Sequence, residues 1–220
     1  MTEEEYYALI QSGGLTLDAA DKMTENVIGL MHVPVSFLEG FLVNGQEFIV
    51  PIATEEREVP AMARRGAKLT RSTGGFWTRS TEPIMIGQIQ VVEIPDFGDA
   101  ERRVLEQKTR LLEDANTISS TRKAVEAGAH AYAAMKGTYR PLSTWTKTPE
   151  GDLRGYLEMP LSAGVVGGSV SAHPAAMAVL KILGVKRSTD LAEIAGALGL
   201  SCNLGALFTL VTDGIKSIKP

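Results

Sequence analysis

Three carboxylates lie close together at Glu55, Glu56 and Glu58. They follow an apolar segment with the composition of a strand and precede a pattern typical of a helix. Backbone N–H groups and the helix dipole favour anions at a helix start, so the cluster has a purely structural interpretation. Carboxylates held near a substrate also act as general acids and bases. The sequence leaves both interpretations open, and all three residues are candidate catalytic groups.

A basic stripe follows these carboxylates on the predicted helix. Its members share one helical face because seven, four and three residues separate them in turn: Arg57, Arg64, Lys68 and Arg71. The opposite face carries Val59, Met62, Gly66 and Leu69. The simpler interpretation is the solvated side of an amphipathic helix. The alternative is a site for the phosphate groups of a substrate.

A loop rich in glycine and serine spans residues 162–173. Glycines let the backbone approach a ligand closely, and the same composition is typical of a tight turn that leads into a helix. Both interpretations stay open. The candidate lining residues are Gly167, Gly168, Ser169 and Ser171.

The histidines and the single cysteine give weaker signals. His130 lies in a predicted helix of small residues and His173 beside a helix start, where structural histidines are common. Cys202 stands among apolar residues, as inert core thiols do. His32 is left open as a newly recruited catalytic group.

Composition limits the classes of partner. Basic residues number 22 and acidic residues 26, so the net charge of -4 gives no global attraction to nucleic acid. We find no export signal and no apolar run of the roughly 18 residues that a membrane span needs. A lone cysteine excludes an internal disulfide and a cysteine-based zinc site. We therefore expect a water-soluble, cytoplasmic protein without nucleic-acid or membrane partners.

Two hairpins and one further strand are predicted. Residues 41–52 form two apolar segments around Asn44-Gly45, the pair that best tolerates a type I′ turn. A second hairpin joins 142–148 to 153–159 through a turn at 149–152. Residues 84–94 alternate partly between apolar and polar side chains and lie between two prolines, which indicates another strand.

Helices are predicted by the 3.6-residue period. One contains Val104, Leu105, Leu111 and Leu112, and the next contains Val125, Ala129, Tyr132 and Ala133. Two or three more follow, with Pro174 in a first turn and ends at Gly184 and Gly199. Strands with helices grouped around and after them predict an α+β fold in a single domain over residues 1–220.

Two blocks of the chain resemble the class II 3-hydroxy-3-methylglutaryl-CoA reductases. The first covers 13–94 and contains Glu-Asn-Val-Ile-Gly at 25–29, Val-Pro-Ile-Ala-Thr-Glu-Glu at 50–56 and Lys-Leu-Thr-Arg at 68–71. The second covers 122–216 and contains Val-Glu-Ala-Gly-Ala-His-Ala-Tyr-Ala at 125–133, Leu-Glu-Met-Pro at 157–160 and Asn-Leu-Gly-Ala at 203–206. The resemblance implies the fold of the family's large substrate-binding domain.

The resemblance also implies a missing segment. In the family, an inserted small domain binds the nicotinamide cofactor, but here residues 95–121 join the two blocks directly. The family's Asp-Ala-Met-Gly-Ala-Asn signature and a Gly-x-Gly-x-x-Gly fingerprint are both absent from the sequence. Hydride transfer needs a cofactor held against the substrate. We therefore expect no cofactor and no reductase activity.

Of the four catalytic groups of the family, one is matched. The family's glutamate matches Glu56, and its lysine falls in the missing segment. Thr121 stands at the position of the aspartate, and Lys219 at the position of the C-terminal histidine. Glu58 replaces a serine that holds the acyl group, so a different acyl group is expected. Whether Lys219 or His32 substitutes for the lost groups is left open.

The resemblance implies a homodimeric enzyme that performs non-redox chemistry on an acyl thioester or polyketide-like substrate. Proton transfer, cyclisation, isomerisation and hydration each need a positioned carboxylate. By the same resemblance, the 162–173 loop lies by the acyl and pantetheine channel, and Asn203 in the second block is a candidate substrate-binding residue. If the basic stripe binds phosphate groups, those of a CoA or carrier-protein arm are expected. The alternatives are a non-catalytic acyl-binding scaffold and residual reductase activity.

Overall fold

The computed structural model describes residues 2–11, 15–23, 25–82, 92, 94–111, 121–161, 164–165 and 173–214, without the side chains of 5 and 121–127. Among them, the named α-helices are α1 (Glu3–Ile10), α2 (Leu17–Asp21), α3 (Glu58–Thr70), α4 (Phe97–Glu106), α5 (Thr121–Ala134), α6 (Pro174–Leu183) and α7 (Ser188–Thr212), and a short 3₁₀ helix (Arg71–Thr73) follows α3. The strands are β1 (Val35–Val43), β2 (Gln46–Ala53), β3 (Ser143–Lys147) and β4 (Leu153–Leu157). The α+β prediction is confirmed.

Both predicted hairpins are present. β1 and β2 pair antiparallel around a turn in which Asn44 and Gly45 have φ angles of 50° and 77°, as a type I′ turn requires. The register shifts between Leu38 and Phe41, where Gly40 has a φ of 68°. β3 and β4 form the second antiparallel pair. Most of the strand predicted at 84–94 lies outside the described residues.

The core forms where the first hairpin meets α3 and α7. β1 and β2 contribute Leu38, Phe41, Val43, Val50 and Ile52. α3 contributes Ala63 and Ala67, and α7 contributes Ile194 and Ala197. Leu69 was predicted to share the buried face of α3, but it is 39% exposed. Gly66 is buried as predicted, and the small residues Ala63 and Ala67 are buried beside it, because α7 packs directly against this face.

α3 and α7 run antiparallel at very short distance. Gly66 faces Ser201, whose hydroxyl donates a hydrogen bond of 2.8 Å to the carbonyl of Ala63. One turn earlier on α3, Met62 faces Gly205. The two glycines allow the backbones of α3 and α7 to touch at these two positions.

One predicted helix end is wrong. α6 begins at Pro174 and ends before Gly184, whose φ is 75°, as predicted. Gly199, however, lies inside α7, which continues to Thr212. Glycine inside a helix costs up to about 1 kcal/mol, and packing against α3 offsets that cost.

α7 also corrects the expectation that no segment is long and apolar enough to span a membrane. It has 25 residues, and its most apolar window has a mean hydropathy of 1.8. The core helix of a soluble protein passes the same test, so this is weak evidence for a membrane span. Of that window, 28% is buried, and α7 packs against α3 along one side.

Glu193 on α7 ties the first hairpin to the segment that follows α3. Its carboxylate accepts hydrogen bonds from the Asn44 amide at 3.1 Å, the Ser80 N–H at 3.0 Å and the Ser80 hydroxyl at 2.7 Å. Asn44 in turn accepts from the Thr78 N–H at 2.8 Å. One carboxylate therefore fixes three parts of the chain that are distant in sequence.

Replacing Glu193 with alanine should destabilise the protein by about 1–2 kcal/mol, because polar groups that donate to the carboxylate lose their acceptor. Hydrogen exchange at the Ser80 amide should accelerate, which NMR or mass spectrometry measures. Glu150→Ala, which removes an exposed carboxylate from the β3–β4 turn, is the control. Unchanged exchange at Ser80 in Glu193→Ala would contradict this role.

Candidate functional site

The carboxylate cluster occupies the link between β2 and α3, as predicted. Glu55 and Glu56 are exposed, and the Glu56 N–H donates to the Thr54 hydroxyl at 3.0 Å. Within the described part of the chain, neither carboxylate has a hydrogen-bond or ion-pair partner. Glu58 begins α3 and approaches Arg57 at 3.7 Å between the carboxylate and Nε. Two carboxylates are therefore left available to a ligand.

Only part of the carboxylate cluster has the structural role of stabilising the start of α3. Arg57 is the N-cap residue of α3, and no side chain makes a capping hydrogen bond there. Glu58 lies in the first turn, where the helix dipole favours a negative charge. The helix start thus accounts for Glu58 but does not engage Glu55 or Glu56 directly.

The antiparallel packing brings the C-terminal end of α7 beside the N-terminal turns of α3. Thr209 on α7 lies 3.4 Å from the Met62 sulfur, measured from its hydroxyl oxygen. Exposed apolar side chains continue along this end of α7, namely Leu207, Leu210 and Val211. The carboxylates and an apolar surface therefore lie at the same end of the helix pair.

Three of the four stripe residues line a cleft of about 600 Å³ between α3 and β1. The Arg64 guanidinium donates to the Phe37 carbonyl at 3.2 Å, and that of Arg71 donates to the Gly40 carbonyl at 2.7 Å. Arg71 also pairs with Glu47 at 2.8 Å. The arginines therefore cap exposed carbonyls of β1 beside its register shift. This supports the structural interpretation for Arg64 and Arg71.

Lys68 lines the same cleft between the two arginines. In the described chain its ammonium group has no hydrogen-bond or ion-pair partner. Arg57 does not line the cleft, and its side chain is 84% exposed. Of the stripe, Lys68 is thus the residue best placed to meet an anion, with the arginines on either side.

Asn203 lies elsewhere, at the contact between α7 and β3. Its side-chain carbonyl accepts hydrogen bonds from the Ser143 hydroxyl at 3.0 Å and from the Trp145 indole at 2.8 Å. The Trp145 ring lies over Gly155, where an added Cβ would be 2.4 Å from the ring. The structure therefore gives Asn203 a role in anchoring the second hairpin and does not bring it to the cleft.

Several candidates fall outside the described residues: Gly167, Gly168, Ser169, Ser171 and Lys219. Thr121 begins α5, but its side chain is not described.

The histidines and the cysteine are described. His32 is exposed. His130 pairs with the Tyr139 hydroxyl at 2.7 Å, and His173 precedes α6. Burial raises the pKa of the Cys202 thiol, as expected of an inert core cysteine.

One polar cluster was not predicted. The carboxylate of Glu158 accepts hydrogen bonds from the Tyr156 hydroxyl at 2.5 Å and the Tyr132 hydroxyl at 2.7 Å. These bonds lower the pKa of Glu158 and raise the pKa of each phenol. The spacing of two residues places Tyr156 and Glu158 on one face of extended chain, but Tyr132 lies on α5, 26 residues away, and no local pattern connects it to Glu158.

The contacts of Arg65 were also not predicted. Arg65 is on the same helix as the basic stripe, but its position in the helix places it outside the shared face of the stripe residues. Its guanidinium donates to the Thr209 hydroxyl at 2.7 Å and pairs with Asp213 at 2.8 Å. It also lies 5.6 Å from the centre of the Phe208 ring. These contacts fasten the C-terminal end of α7 to α3.

The Arg65–Asp213 pair predicts a pH dependence of stability. The hydrogen bond from Arg65 lowers the pKa of Asp213, so its contribution is present above the ordinary aspartate pKa of about 3.9. It is lost as the pH falls through the lower pKa of the folded state. Asp213→Asn should therefore lower the melting temperature at neutral pH, and the difference from the original protein should shrink in acid and in high salt. An equal difference at all pH values would contradict this.

Comparison with known proteins gives a consistent result. The sequence model of the family described as Hydroxymethylglutaryl-coenzyme A reductase matches residues 1–124 and 121–217. A 3-hydroxy-3-methylglutaryl-coenzyme A reductase of Archaeoglobus fulgidus is 28% identical over 345 positions, covering 98% of this chain and 79% of that protein. A probable reductase of the same name from Borreliella burgdorferi is 27% identical and covers 94% of this chain, but the match spans only 48% of that relative's length.

A solved structure shares the fold. It is the class II 3-hydroxy-3-methylglutaryl-CoA reductase of Streptococcus pneumoniae, bound to NADPH in open conformations. Its TM-score with this chain is 0.82 at 21% identity, covering 96% of this chain and 94% of that chain.

Proposed function

Because this chain belongs to the hydroxymethylglutaryl-coenzyme A reductase family, we propose that it performs acid–base chemistry without hydride transfer on an acyl thioester or polyketide-like substrate. The observation that carries the proposal is Glu56. It stands at the position of the family's catalytic glutamate by resemblance, and its carboxylate is exposed without a partner in the described chain. A carboxylate so placed accepts a proton from a substrate carbon or hydroxyl and returns it elsewhere.

We propose that this chain holds no nicotinamide cofactor. Both described sheets are antiparallel pairs of strands, so this part of the chain contains no βαβ unit to hold a dinucleotide. The alignment with the Archaeoglobus protein runs over 345 positions, whereas this chain has 220 residues, so at least 125 positions are gaps in this chain. These observations support the proposal that 95–121 spans a missing cofactor domain.

Glu55 and Glu58 flank the proposed acid or base. Glu58 carries a charge where the family has a serine by resemblance, which disfavours a second carboxylate on the acyl group because like charges repel. The exposed apolar end of α7 beside α3 favours an apolar acyl group instead. Cyclisation, isomerisation and hydration all remain compatible with such a site.

The cleft of α3 and β1 is the proposed seat of the phosphate groups of a CoA or carrier-protein arm. Lys68 supplies the unpaired ammonium group, and Arg64 adds positive charge beside it, whereas Glu47 pairs with Arg71 and Glu39 also lines the cleft. By resemblance, Gly167, Gly168, Ser169 and Ser171 line the acyl channel, and Asn203 supports it. We also propose a homodimer, which the exposed Ile28 and Met31 in the first family block support. A cytoplasmic location is part of the same proposal.

The test is to incubate the purified chain with a panel of acyl-CoA thioesters, with and without NADH or NADPH, and to analyse the products by mass spectrometry. The proposal expects product formation that does not depend on the nicotinamide cofactor. Binding without turnover would support the alternative, a non-catalytic acyl or CoA-binding scaffold. Cofactor oxidation coupled to thioester reduction would instead show residual reductase activity and overturn the proposal.

A further inference from the structure

The cleft between α3 and β1 has little positive charge in excess. Arg64, Lys68 and Arg71 line it, but Glu39 lines it as well. Arg71 also pairs with Glu47 of β2 at 2.8 Å. Two carboxylates therefore stand against three basic groups, and the net charge of the cleft together with Glu47 is +1. By charge complementarity, such a cleft matches one singly charged anion.

Only one cation of the cleft is left without a protein partner. Both arginines already donate hydrogen bonds to carbonyls of β1. The ammonium group of Lys68 has no hydrogen-bond or ion-pair partner in the part of the chain that the structure describes. The carboxylate of Glu39 has none there either, so it repels phosphate oxygens that Lys68 does not hold.

The place of the cleft on α3 limits its positive potential further. Lys68 lies in the last turn of α3, where the helix dipole carries partial negative charge. That charge stabilises a lysine but disfavours a multiply charged anion. CoA carries a pyrophosphate and also a phosphate monoester, whose charge alone is about −1.5 to −2 at neutral pH. Its phosphates are therefore poorly matched to this cleft.

The cleft and the carboxylates lie toward opposite ends of α3. Glu58 begins the helix and Lys68 lies ten residues further, which is about 15 Å along the helix axis. An extended pantetheine arm spans such a distance between its phosphate and its thioester. A phosphate at Lys68 therefore allows the acyl group to lie near Glu56, which is two residues before the start of α3.

We propose that the cleft binds a single phosphodiester, and that the acyl group therefore arrives on the pantetheine arm of a carrier protein and not on CoA. In such an arm, one singly charged phosphodiester joins pantetheine to a serine of the carrier. Lys68 binds its free oxygens, and Glu39 disfavours the additional phosphates of CoA. This inference rests on the proposed function, because it assumes a thioester held near Glu56.

Binding of one alkyl group on four carriers tests the preference. The probes are S-hexyl thioethers of pantetheine, of pantetheine 4′-phosphate methyl ester, of CoA and of a holo carrier protein, which lack the reactive carbonyl. Calorimetry measures their affinity for the full chain. The methyl ester carries one phosphodiester, and it should bind roughly tenfold more tightly than pantetheine because it gains a charge-assisted contact. The carrier protein should bind at least as tightly as the methyl ester, and CoA several-fold more weakly.

Two charge changes identify the groups responsible. Lys68→Met should weaken binding of the methyl ester about tenfold and leave binding of S-hexyl pantetheine unchanged, because the latter has no phosphate. Glu39→Gln should strengthen CoA binding and narrow its difference from the methyl ester. Lys147→Met, which removes an exposed cation from β3, is the control. Circular dichroism checks that each variant is folded.

Equal affinity for CoA and the methyl ester would overturn the proposal. The same holds for a methyl ester that binds Lys68→Met as tightly as the original protein, and for the absence of binding by all four probes. Because the probes cannot react, their binding is independent of turnover. Failure to convert any acyl thioester would therefore contradict the proposed acid–base function and not this preference.

Discussion

Replacing Gly205 with alanine should lower the free energy of unfolding by about 3 kcal/mol or more. An added Cβ would lie 2.0 Å from the carbonyl oxygen of Met62, which is backbone and cannot rotate away. α3 and α7 would have to separate, and the core between them and the first hairpin would lose contacts. For a chain of this size the melting temperature should fall by about 6–12 °C. Gly66→Ala should behave alike, because its Cβ would lie 2.1 Å from the Ser201 carbonyl oxygen.

Gly199→Ala is the matched control for the Gly205 prediction. It lies in the same helix, but its added Cβ would make an ordinary contact of 3.9 Å with Leu157. Alanine is the better helix former by up to about 1 kcal/mol, so this variant should be as stable as the original or more stable. Thermal unfolding followed by circular dichroism measures all three variants. Similar losses at Gly199 and Gly205 would show that helix contact does not decide the outcome.

Replacing Glu56 with glutamine should abolish most of the proposed turnover, with a loss of about 10²–10⁴-fold. Glutamine keeps the size of the side chain but neither accepts nor donates a proton at neutral pH. The side chain is exposed and unpartnered in the described chain, so stability should change little. Product formation by mass spectrometry and binding of the same acyl-CoA are measured in parallel.

Glu150→Gln, a swap of the same kind in the β3–β4 turn, controls for the lost charge. Lost turnover with retained binding in Glu56→Gln supports the acid–base role. A Glu56→Gln protein that turns over substrate at the original rate would exclude Glu56 as the acid or base. Lost binding alone would instead assign it to substrate recognition.

The two hairpins and both ends of α6 were predictable because local residues decide them. Asn44-Gly45 tolerates the positive φ angles of its turn, and Pro174 and Gly184 favour the two ends of α6. Gly199 was wrongly predicted to end a helix. Glycine ends α6 at Gly184, but Gly199 lies within α7, and the residue type alone does not distinguish the two cases. Packing between α3 and α7 made that difference, and no local pattern reveals it.

The candidate site was predictable in part. The position of the carboxylates between β2 and α3 was read correctly, and so was the shared face of Arg64, Lys68 and Arg71. Which of these cations is paired was not predictable, since their partners on β1 and β2 lie 24 to 31 residues away. Asn203 was placed at the site by resemblance, but its contacts are with β3.

By itself, the sequence determined the family, the α+β class and the carboxylates that could act, since residue types and short spacings carry that information. Only the tertiary structure decided which charges are already paired, which glycines are obligatory and which helix face stays uncovered. Each of these depends on atoms brought together from distant parts of the chain. Distances of a few ångströms between such atoms distinguish the paired Arg71 from the unpaired Lys68. They also distinguish Gly205, where a side chain does not fit, from Gly199, where one does.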